Sequence, residues 1–193
     1  MNKNIKITSE SGMGKGAKIA IVSLCVLIAA LTVLIVLDAL GVFYPDEEEI
    51  VITPPVRADK TTLKDGDYTY AVLTDGTVMI TACALPEETQ VIDIPTTLGG
   101  YKVSAIGESA FALINDMQNV TVPEGVTYIG SNAFFGALNA KLYLPSTLEQ
   151  IDKDAMAGFD EPTGIYFAGS EAQWAKVRIA DGNAVLSRVI CNG

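Results

Sequence analysis

The chain has 193 residues, a formal net charge of −10 at pH 7 and no histidine. Its acidic balance argues against nucleic acid as a partner, because nucleic acid rewards basic surface. The lack of histidine removes Ser-His-Asp and Cys-His catalysis and most zinc sites, and no nucleophile motif takes their place. The sequence therefore predicts a protein that is not an enzyme, with no catalytic residues, cofactor or metal.

The charge is divided between a basic head and an acidic body. Residues 1–18 hold four lysines and one glutamate, a net charge of +3, so residues 19–193 carry −13 (−10 minus +3). The head is polar and contains three glycines. It is predicted to be a cytoplasmic tail.

An apolar run extends from Ile19 to Leu37 and is interrupted only by Ser23 and Thr32. As a helix it would span ~28 Å at ~1.5 Å per residue, close to the ~30 Å hydrocarbon core of a bilayer. The alternative is a cleaved secretory signal, whose apolar core is usually ~7–15 residues. We favour an uncleaved transmembrane helix over residues 19–40. The positive-inside rule then predicts a single-pass protein of the cell membrane, with its N-terminus cytoplasmic and its C-terminal domain extracytoplasmic.

Residues 41–64 are predicted to form an extracytoplasmic stalk. They contain the acidic run at 46–49 and the Pro54-Pro55 pair, with little hydrophobic period. Asp65 and Asp67 follow, but they lack the further ligands that a calcium loop needs.

The last predicted domain covers residues 65–193, and its first element is a β-hairpin over residues 68–83. Apolar residues alternate on both sides of Asp75-Gly76, which is a strong hairpin signal. The hairpin directly precedes the repeats, so we expect it to cap one end of them. Cys83 and Cys191 either pair in a disulfide or remain two free thiols, and we favour free thiols.

One plan occurs three times between residues 90 and 169. Each copy has two apolar residues before a proline, then a second short strand, then an Ala-Phe or Ala-Met pair. The apolar pairs are Ile92 and Ile94, Val120 and Val122, and Leu142 and Leu144. The Ala-Phe and Ala-Met pairs recur at 23 and then 22 residues. This period is typical of a solenoid, in which no repeat can bury its apolar side alone. Ile94, Val122 and Leu144 should form one buried column.

The C-terminal cap is predicted over residues 170–193. Ser170 stands three residues before Gln173, which is the spacing of a capping box, so a short helix is expected over residues 171–177. Trp174 should pack on the end of the solenoid. Asp181-Gly182-Asn183 is expected to turn into a last alternating strand over residues 185–191.

The repeats resemble the BspA-type leucine-rich repeat family of bacterial surface proteins over about residues 68–193. The matching stretches are I-D-I-P at 92–95, V-T-V-P-E-G-V-T-Y-I-G-S-N-A-F at 120–134 and I-Y-F-A-G-S-E-A-Q-W at 165–174. The third copy departs from this pattern at Asp152 and Met156, which replace glycine and phenylalanine. The resemblance implies adhesion to proteins or cells, but it carries over no fixed ligand motif.

The overall prediction is a mainly β fold, a small leucine-rich-repeat solenoid with an N-terminal hairpin cap and a C-terminal helix cap, preceded by one transmembrane helix. Phe111, Phe134 and Phe135 are assigned to its core. The residues between the inward pairs should form an outward ladder, flanked by two polar residues. These candidate ligand-binding residues are Asp93, Asn119, Thr121, Lys141, Tyr143 and Tyr166.

Exposed tyrosines suit stacking on a sugar or anchoring a protein contact. The alternative is that they only satisfy the β-propensity of a half-exposed face. The predicted function is a membrane-anchored extracytoplasmic binding or adhesion module for a protein or glycan. A second possibility is a structural or assembly subunit that docks on an envelope protein complex.

Overall fold

The computed structural model describes residues 50–193, except residues 87, 113, 115–116, 138–139 and 160–163. The predicted tail and transmembrane helix of residues 1–40 lie outside the described residues, as does the first part of the predicted stalk. Within the described ranges, no helix is long and apolar enough to cross a membrane.

The described strands form two sheets that enclose one core. The strands are β1 (Leu63–Asp65), β2 (Tyr68–Val72), β3 (Val78–Cys83), β4 (Val91–Asp93), β5 (Thr97–Leu98), β6 (Tyr101–Ile106), β7 (Asn119–Thr121), β8 (Tyr128–Ile129), β9 (Lys141–Leu144), β10 (Gln150–Ile151), β11 (Ile165–Phe167), β12 (Arg178–Ile179) and β13 (Ile190–Cys191). The first sheet has the order β1-β2-β3-β6-β8-β10-β12, with β5 paired to β6, and the second sheet has the order β13-β11-β9-β7-β4.

Each turn of the solenoid contributes one strand to each sheet. The second sheet is parallel throughout, and the first sheet is parallel from β3 to β12. A proline follows β4, β7 and β9 at close range. Because proline removes a ladder donor and fixes φ, it ends the strand and sends the chain to the other sheet. The predicted mainly β solenoid is confirmed.

The predicted inward column is present in the second sheet. Ile94, Val122 and Leu144 are 4%, 3% and 2% exposed. The backbone N–H of Ile94 donates to the Thr121 carbonyl at 3.0 Å, and that of Val122 donates to the Tyr143 carbonyl at 2.9 Å. The three side chains therefore occupy equivalent places in successive turns, where each covers apolar surface that its own turn leaves open.

Aromatic side chains fill the other side of the core. Phe111 and Phe134 are fully buried, and their rings stack at 5.4 Å between centroids. Tyr68 of the hairpin meets Phe111 edge-on at 6.4 Å. Phe135 was expected in this core but is 43% exposed, because it follows Phe134 in a tight turn that directs successive side chains to opposite sides.

The buried side chain of Asn183 caps the last turn of the solenoid. In the inner turns, the Phe111 N–H donates to the Ala133 carbonyl and the Phe134 N–H donates to the Ala155 carbonyl. The equivalent Met156 N–H donates instead to Asn183 Oδ1 at 3.0 Å. The side-chain amide of Asn183 donates to the carbonyls of Asp152, Ala180 and Asp181. Asn183 is only 6% exposed, so one buried side chain supplies the acceptor that the carbonyl of a further turn would have supplied.

Both predicted caps are present. Strands β2 and β3 form the antiparallel hairpin, and β3 continues into the solenoid through β6. Helix α1 (Glu171–Trp174) has the capping box of Ser170 and Gln173 but ends at Trp174, earlier than the expected residue 177. The Trp174 ring packs on Phe167 at 5.1 Å. Residues 184–188, expected as a strand, form a 3₁₀ helix that buries Leu186, and only Ile190–Cys191 pair as β13.

The two cysteines within the described part of the chain are free thiols. Cys83 lies on β3, beside the hairpin, whereas Cys191 lies on the terminal strand β13. They therefore sit at opposite ends of the stack. Burial raises the pKa of Cys83 to about 11, so this thiol is a weak nucleophile at neutral pH.

Residues 52–58, called the strap below, pack on the domain although they lie within the predicted stalk. Arg57 forms an antiparallel bridge with Leu73. The Ala58 N–H donates to the Val72 carbonyl, and the Thr74 N–H donates to the Val56 carbonyl, both at 2.9 Å. Strand β1 also begins inside the predicted stalk and pairs with β2. The stretch 52–64 is therefore not a free spacer, because its backbone finds partners along β2.

Candidate ligand-binding face

All six predicted residues lie on the outer face of the second sheet. One ladder of directly paired residues runs across the strands, and a second ladder runs beside it, two residues earlier in each strand. The first contains Asp93, Thr121, Tyr143, Tyr166 and Ile190, and the second contains Val91, Asn119 and Lys141. The sheet therefore gathers side chains that are up to 99 residues apart in the sequence (190 minus 91) onto one surface.

The aromatic part of this face is a stacked pair of tyrosines. The rings of Tyr143 and Tyr166 lie 5.1 Å apart with 14° between their planes. Tyr143 is 38% exposed, and Tyr166 is half-buried. The distance is close to the ~4.8 Å strand spacing, so the parallel ladder itself sets the stack. The pair holds its rings in place before any ligand arrives.

Gly164 makes room for this stack. A Cβ placed at Gly164 would lie 2.5–2.6 Å from three atoms of the Tyr166 side chain. The Tyr166 ring therefore lies back along its own strand, over the bare Cα of Gly164. Sequence alternation identifies Tyr166 as outward but does not show that Gly164 carries its ring.

Replacing Gly164 with alanine should move the Tyr166 ring and break the stack. We expect a loss of about 1 kcal/mol of stability, the usual worth of an aromatic pair beyond its buried area. Urea denaturation would measure the loss. A double-mutant cycle gives the control: in a Tyr166→Ala background the same glycine substitution should cost almost nothing. An equal cost in both backgrounds would contradict the contact.

The other half of the face is polar and charged. Asp93 and Thr121 continue the tyrosine ladder, and Asn119 pairs in register with Lys141 beside it. Asp93, Thr121 and Lys141 are exposed, and Asn119 is half-buried. The side chains of Asp93, Asn119 and Lys141 make no hydrogen bond or ion pair to another described residue. Their polar atoms are therefore available to a ligand.

Two apolar residues at the ends of the face were missed by the sequence reasoning. Val91 is 57% exposed on β4, and Ile190 is 49% exposed on β13. Val91 stands two residues before Asp93, so strict alternation could have found it. Ile190 gave no such signal, because its strand has two residues and follows the 3₁₀ helix.

The outer face of the first sheet is largely covered. Its ladder contains Met79, Ala105, Tyr128, Gln150 and Arg178. Ile52 of the strap packs against the buried cluster of Leu73, Ala105 and Tyr128, and the Thr53 N–H donates to Gln150 Oε1 at 2.9 Å.

Tyr128 is satisfied within this covered face. Its hydroxyl donates to Asp152 Oδ2 at 2.9 Å, and burial, together with that carboxylate, raises the pKa of Tyr128. Asp152 thus has a structural role in the place where the other copies have glycine. Of the two outer faces, the second sheet's is the one that combines an exposed aromatic pair with polar side chains beside it.

The described residues contain no group of three or more cysteine, aspartate or glutamate side chains placed to hold a metal ion. The second sheet's face offers aromatic stacking at one end and hydrogen bonding at the other.

Two parallel sheets built turn by turn around a buried column define a leucine-rich-repeat solenoid. Residues 88–171 match the family described as BspA type Leucine rich repeat region, in six copies. This part of the chain is a BspA-type leucine-rich repeat region. The six copies exceed the three that the Ala-Phe and Ala-Met pairs indicate.

Comparison with solved structures gave three matches. A leucine-rich repeat protein from Bacteroides capillosus ATCC 29799 is 26% identical, with a TM-score of 0.50 over 69% of this chain and 100% of that one. A leucine rich cell surface protein from Faecalibacterium prausnitzii A2-165 is 20% identical, with a TM-score of 0.45 over 69% and 43%. A leucine-rich repeat protein from Bacteroides ovatus ATCC 8483 is 23% identical, with a TM-score of 0.39 over 57% and 38%. Comparison with curated proteins gave no match.

Proposed function

We propose that this protein is a membrane-anchored, extracytoplasmic binding module that presents the outer face of the second sheet to a protein or glycan. One observation carries the proposal: a rigid tyrosine pair stands on an open sheet face beside polar groups that have no described partner. Tyrosine buries a large ring area on binding and loses little side-chain entropy. Two tyrosine rings that are already held in place by stacking lose even less side-chain entropy on binding.

The location rests on the first part of the sequence and on the family. The apolar run of residues 19–37 is long enough for a membrane helix, and its basic flank favours a cytoplasmic N-terminus. A BspA-type repeat region supports a place at the cell surface. The binding domain then follows the membrane segment on the outer side.

Deleting residues 19–37 should move the protein from the membrane fraction to the soluble fraction. External protease added to intact cells without a wall should cut the full-length protein in the repeat domain and leave a cytoplasmic control protein whole. Immunoblots of both fractions measure the outcome. Retention of the deletion variant in membranes, or full protection of the repeats, would contradict the topology.

The binding face is tested by screening the full-length protein in lipid nanodiscs against panels of glycans and envelope proteins. The double variant Tyr143→Ala/Tyr166→Ala should lose the ligands that the unchanged protein retains. Tyr101→Ala is the matched control, because Tyr101 is 42% exposed but lies on β6, outside the face. If the double variant and the control both keep every ligand, this face is not the binding site.

A further inference from the structure

We infer that the ligand of this face is a neutral glycan, with a pyranose ring stacked on the side of Tyr143 that is turned toward Thr121. The inference rests on the proposed function, since it names the class of ligand for the same face. It follows from the shape of the face, from its polar groups and from its charge.

The shape comes from the ladder order. Tyr166 stacks on one side of the Tyr143 ring, so the other side is turned toward the neighbouring strand, where Thr121 is paired. Threonine is too short to cover a phenol ring. Beyond Thr121 comes Asp93, in the edge strand of the sheet. The result is a recess with an aromatic wall and a floor two strands wide, about 10 Å at the usual strand spacing.

The chemistry of the recess matches that of a sugar ring. A β-linked hexopyranose with equatorial substituents has flat faces of C–H groups and a rim of hydroxyls. The wall offers a π-face to the C–H groups, and the floor and its sides offer a carboxylate, an amide and an ammonium group to the hydroxyls. These come from Asp93, Asn119 and Lys141, whose side chains bond to no other described residue. An aromatic surface with a few convergent polar groups is the usual composition of a small-ligand site.

Charge selects against anionic glycans. The recess carries one carboxylate and one ammonium group, so its own balance is near zero. The whole chain has a net charge of −10, and residues 19–193 carry −13. The negative charge of the protein would repel a sulfated or phosphorylated glycan. The recess also lacks the pairs of arginines that such groups favour.

A protein partner fits the recess less well. Hot spots of protein interfaces lie in apolar, desolvated centres. Here the exposed aliphatic residues lie at the two ends, Val91 on β4 and Ile190 on β13. Ile190 is paired with Tyr166, on the side away from the recess. The centre of the face therefore remains polar except for the Tyr143 wall.

The test is isothermal titration calorimetry on the full-length protein in nanodiscs of zwitterionic phospholipid, which bring no sugar headgroup. The probes are chitohexaose and cellohexaose, with a heparin hexasaccharide as the anionic comparison. We expect at least one neutral hexasaccharide to bind and the heparin fragment to bind more weakly. Tyr143→Leu keeps an apolar side chain without a π-face and should weaken binding about tenfold. Tyr143→Phe should retain affinity within about threefold, and Tyr101→Ala should leave it unchanged.

Several results would overturn the inference. They are no binding of either neutral hexasaccharide, tighter binding of the heparin fragment, or equal affinity of the Tyr143→Leu and Tyr143→Phe variants. Tyr143-dependent binding of an envelope protein in place of any glycan would overturn the glycan assignment and leave the proposed binding face intact. Circular dichroism of each variant confirms that it is folded, so each affinity refers to the native face.

Discussion

Replacing Phe134 with alanine is expected to lower the free energy of unfolding by about 3–5 kcal/mol. Phe134 is fully buried and stacks on Phe111 at 5.4 Å, and its N–H donates to the next turn at Ala155. The substitution leaves a cavity between two turns that cannot bury their apolar surface without each other. A loss of this size is a large part of the total stability of a typical domain. Urea denaturation followed by circular dichroism would measure it.

The matched control is the neighbouring phenylalanine. Phe135 is 43% exposed, so Phe135→Ala should change the free energy of unfolding by only about 0.5–1 kcal/mol. The two substitutions remove the same atoms from adjacent positions. Similar costs for both variants would contradict the assignment of Phe134 alone to the core.

Replacing Asn183 with leucine is expected to cost about 2–4 kcal/mol, because leucine keeps the branched shape of the side chain but not its polar atoms. The substitution leaves the Met156 N–H without its acceptor and the Ala180 carbonyl without its donor. The Asp152 carbonyl keeps only the Ala155 N–H as a donor, at 3.3 Å. A buried polar group that loses its partner costs about 1–3 kcal/mol. Thermal and urea unfolding of the full-length protein would show the effect.

Asn192→Leu is the control for this cap. Asn192 is exposed at the same end of the chain, and its substitution should change stability by no more than about 0.5 kcal/mol. Asn183→Asp adds a second comparison, because it keeps the acceptor for Met156 but loses the donor for the carbonyls. If Asn183→Leu were as stable as the unchanged protein, Asn183 would not be the group that closes the solenoid.

The repeats could be predicted from the sequence because the residues that define each strand lie close together in the chain. A pair of apolar residues spaced two apart fixes which side of a strand is buried, and the proline after it fixes where the strand ends. The hairpin could be predicted in the same way, since Asp75-Gly76 provides the turn that joins β2 and β3. The same alternation places Tyr143 and Tyr166 outward.

The strap and the last strand could not be predicted from the sequence, because partners that are distant in the chain determine their conformation. Residues 52–58 include Pro54-Pro55 and show no alternation. Their position depends on Leu73 and on Gln150, which is 97 residues away from Thr53. Residues 184–188 begin with three apolar residues in a row and were expected to belong to a strand from residue 185, yet they form a 3₁₀ helix in which Leu186 alone is buried.

The sequence predicted six residues of the candidate face but missed Val91 and Ile190, and it did not predict the geometry of the face. Alternation assigns each residue to a side of the sheet, whereas the contact between two rings depends on register and on what surrounds them. Gly164 shows the difference: nothing in its local sequence indicates that a tyrosine two residues later lies over it. The stacking of Tyr143 on Tyr166 therefore became visible only in three dimensions.

The strap also limits the distance between the domain and the membrane under the proposed anchor. Ile52 and Thr53 are already held on the first sheet, so only residues 41–51 separate the predicted membrane segment from the fixed part of the domain. Eleven residues (51 minus 41, plus one) extend at most about 40 Å. With the proposed anchor, a ligand for this face has to come within that reach plus the length of the domain itself, as the inner layers of an envelope do, whereas the surface of another cell would meet it only where the wall is thin.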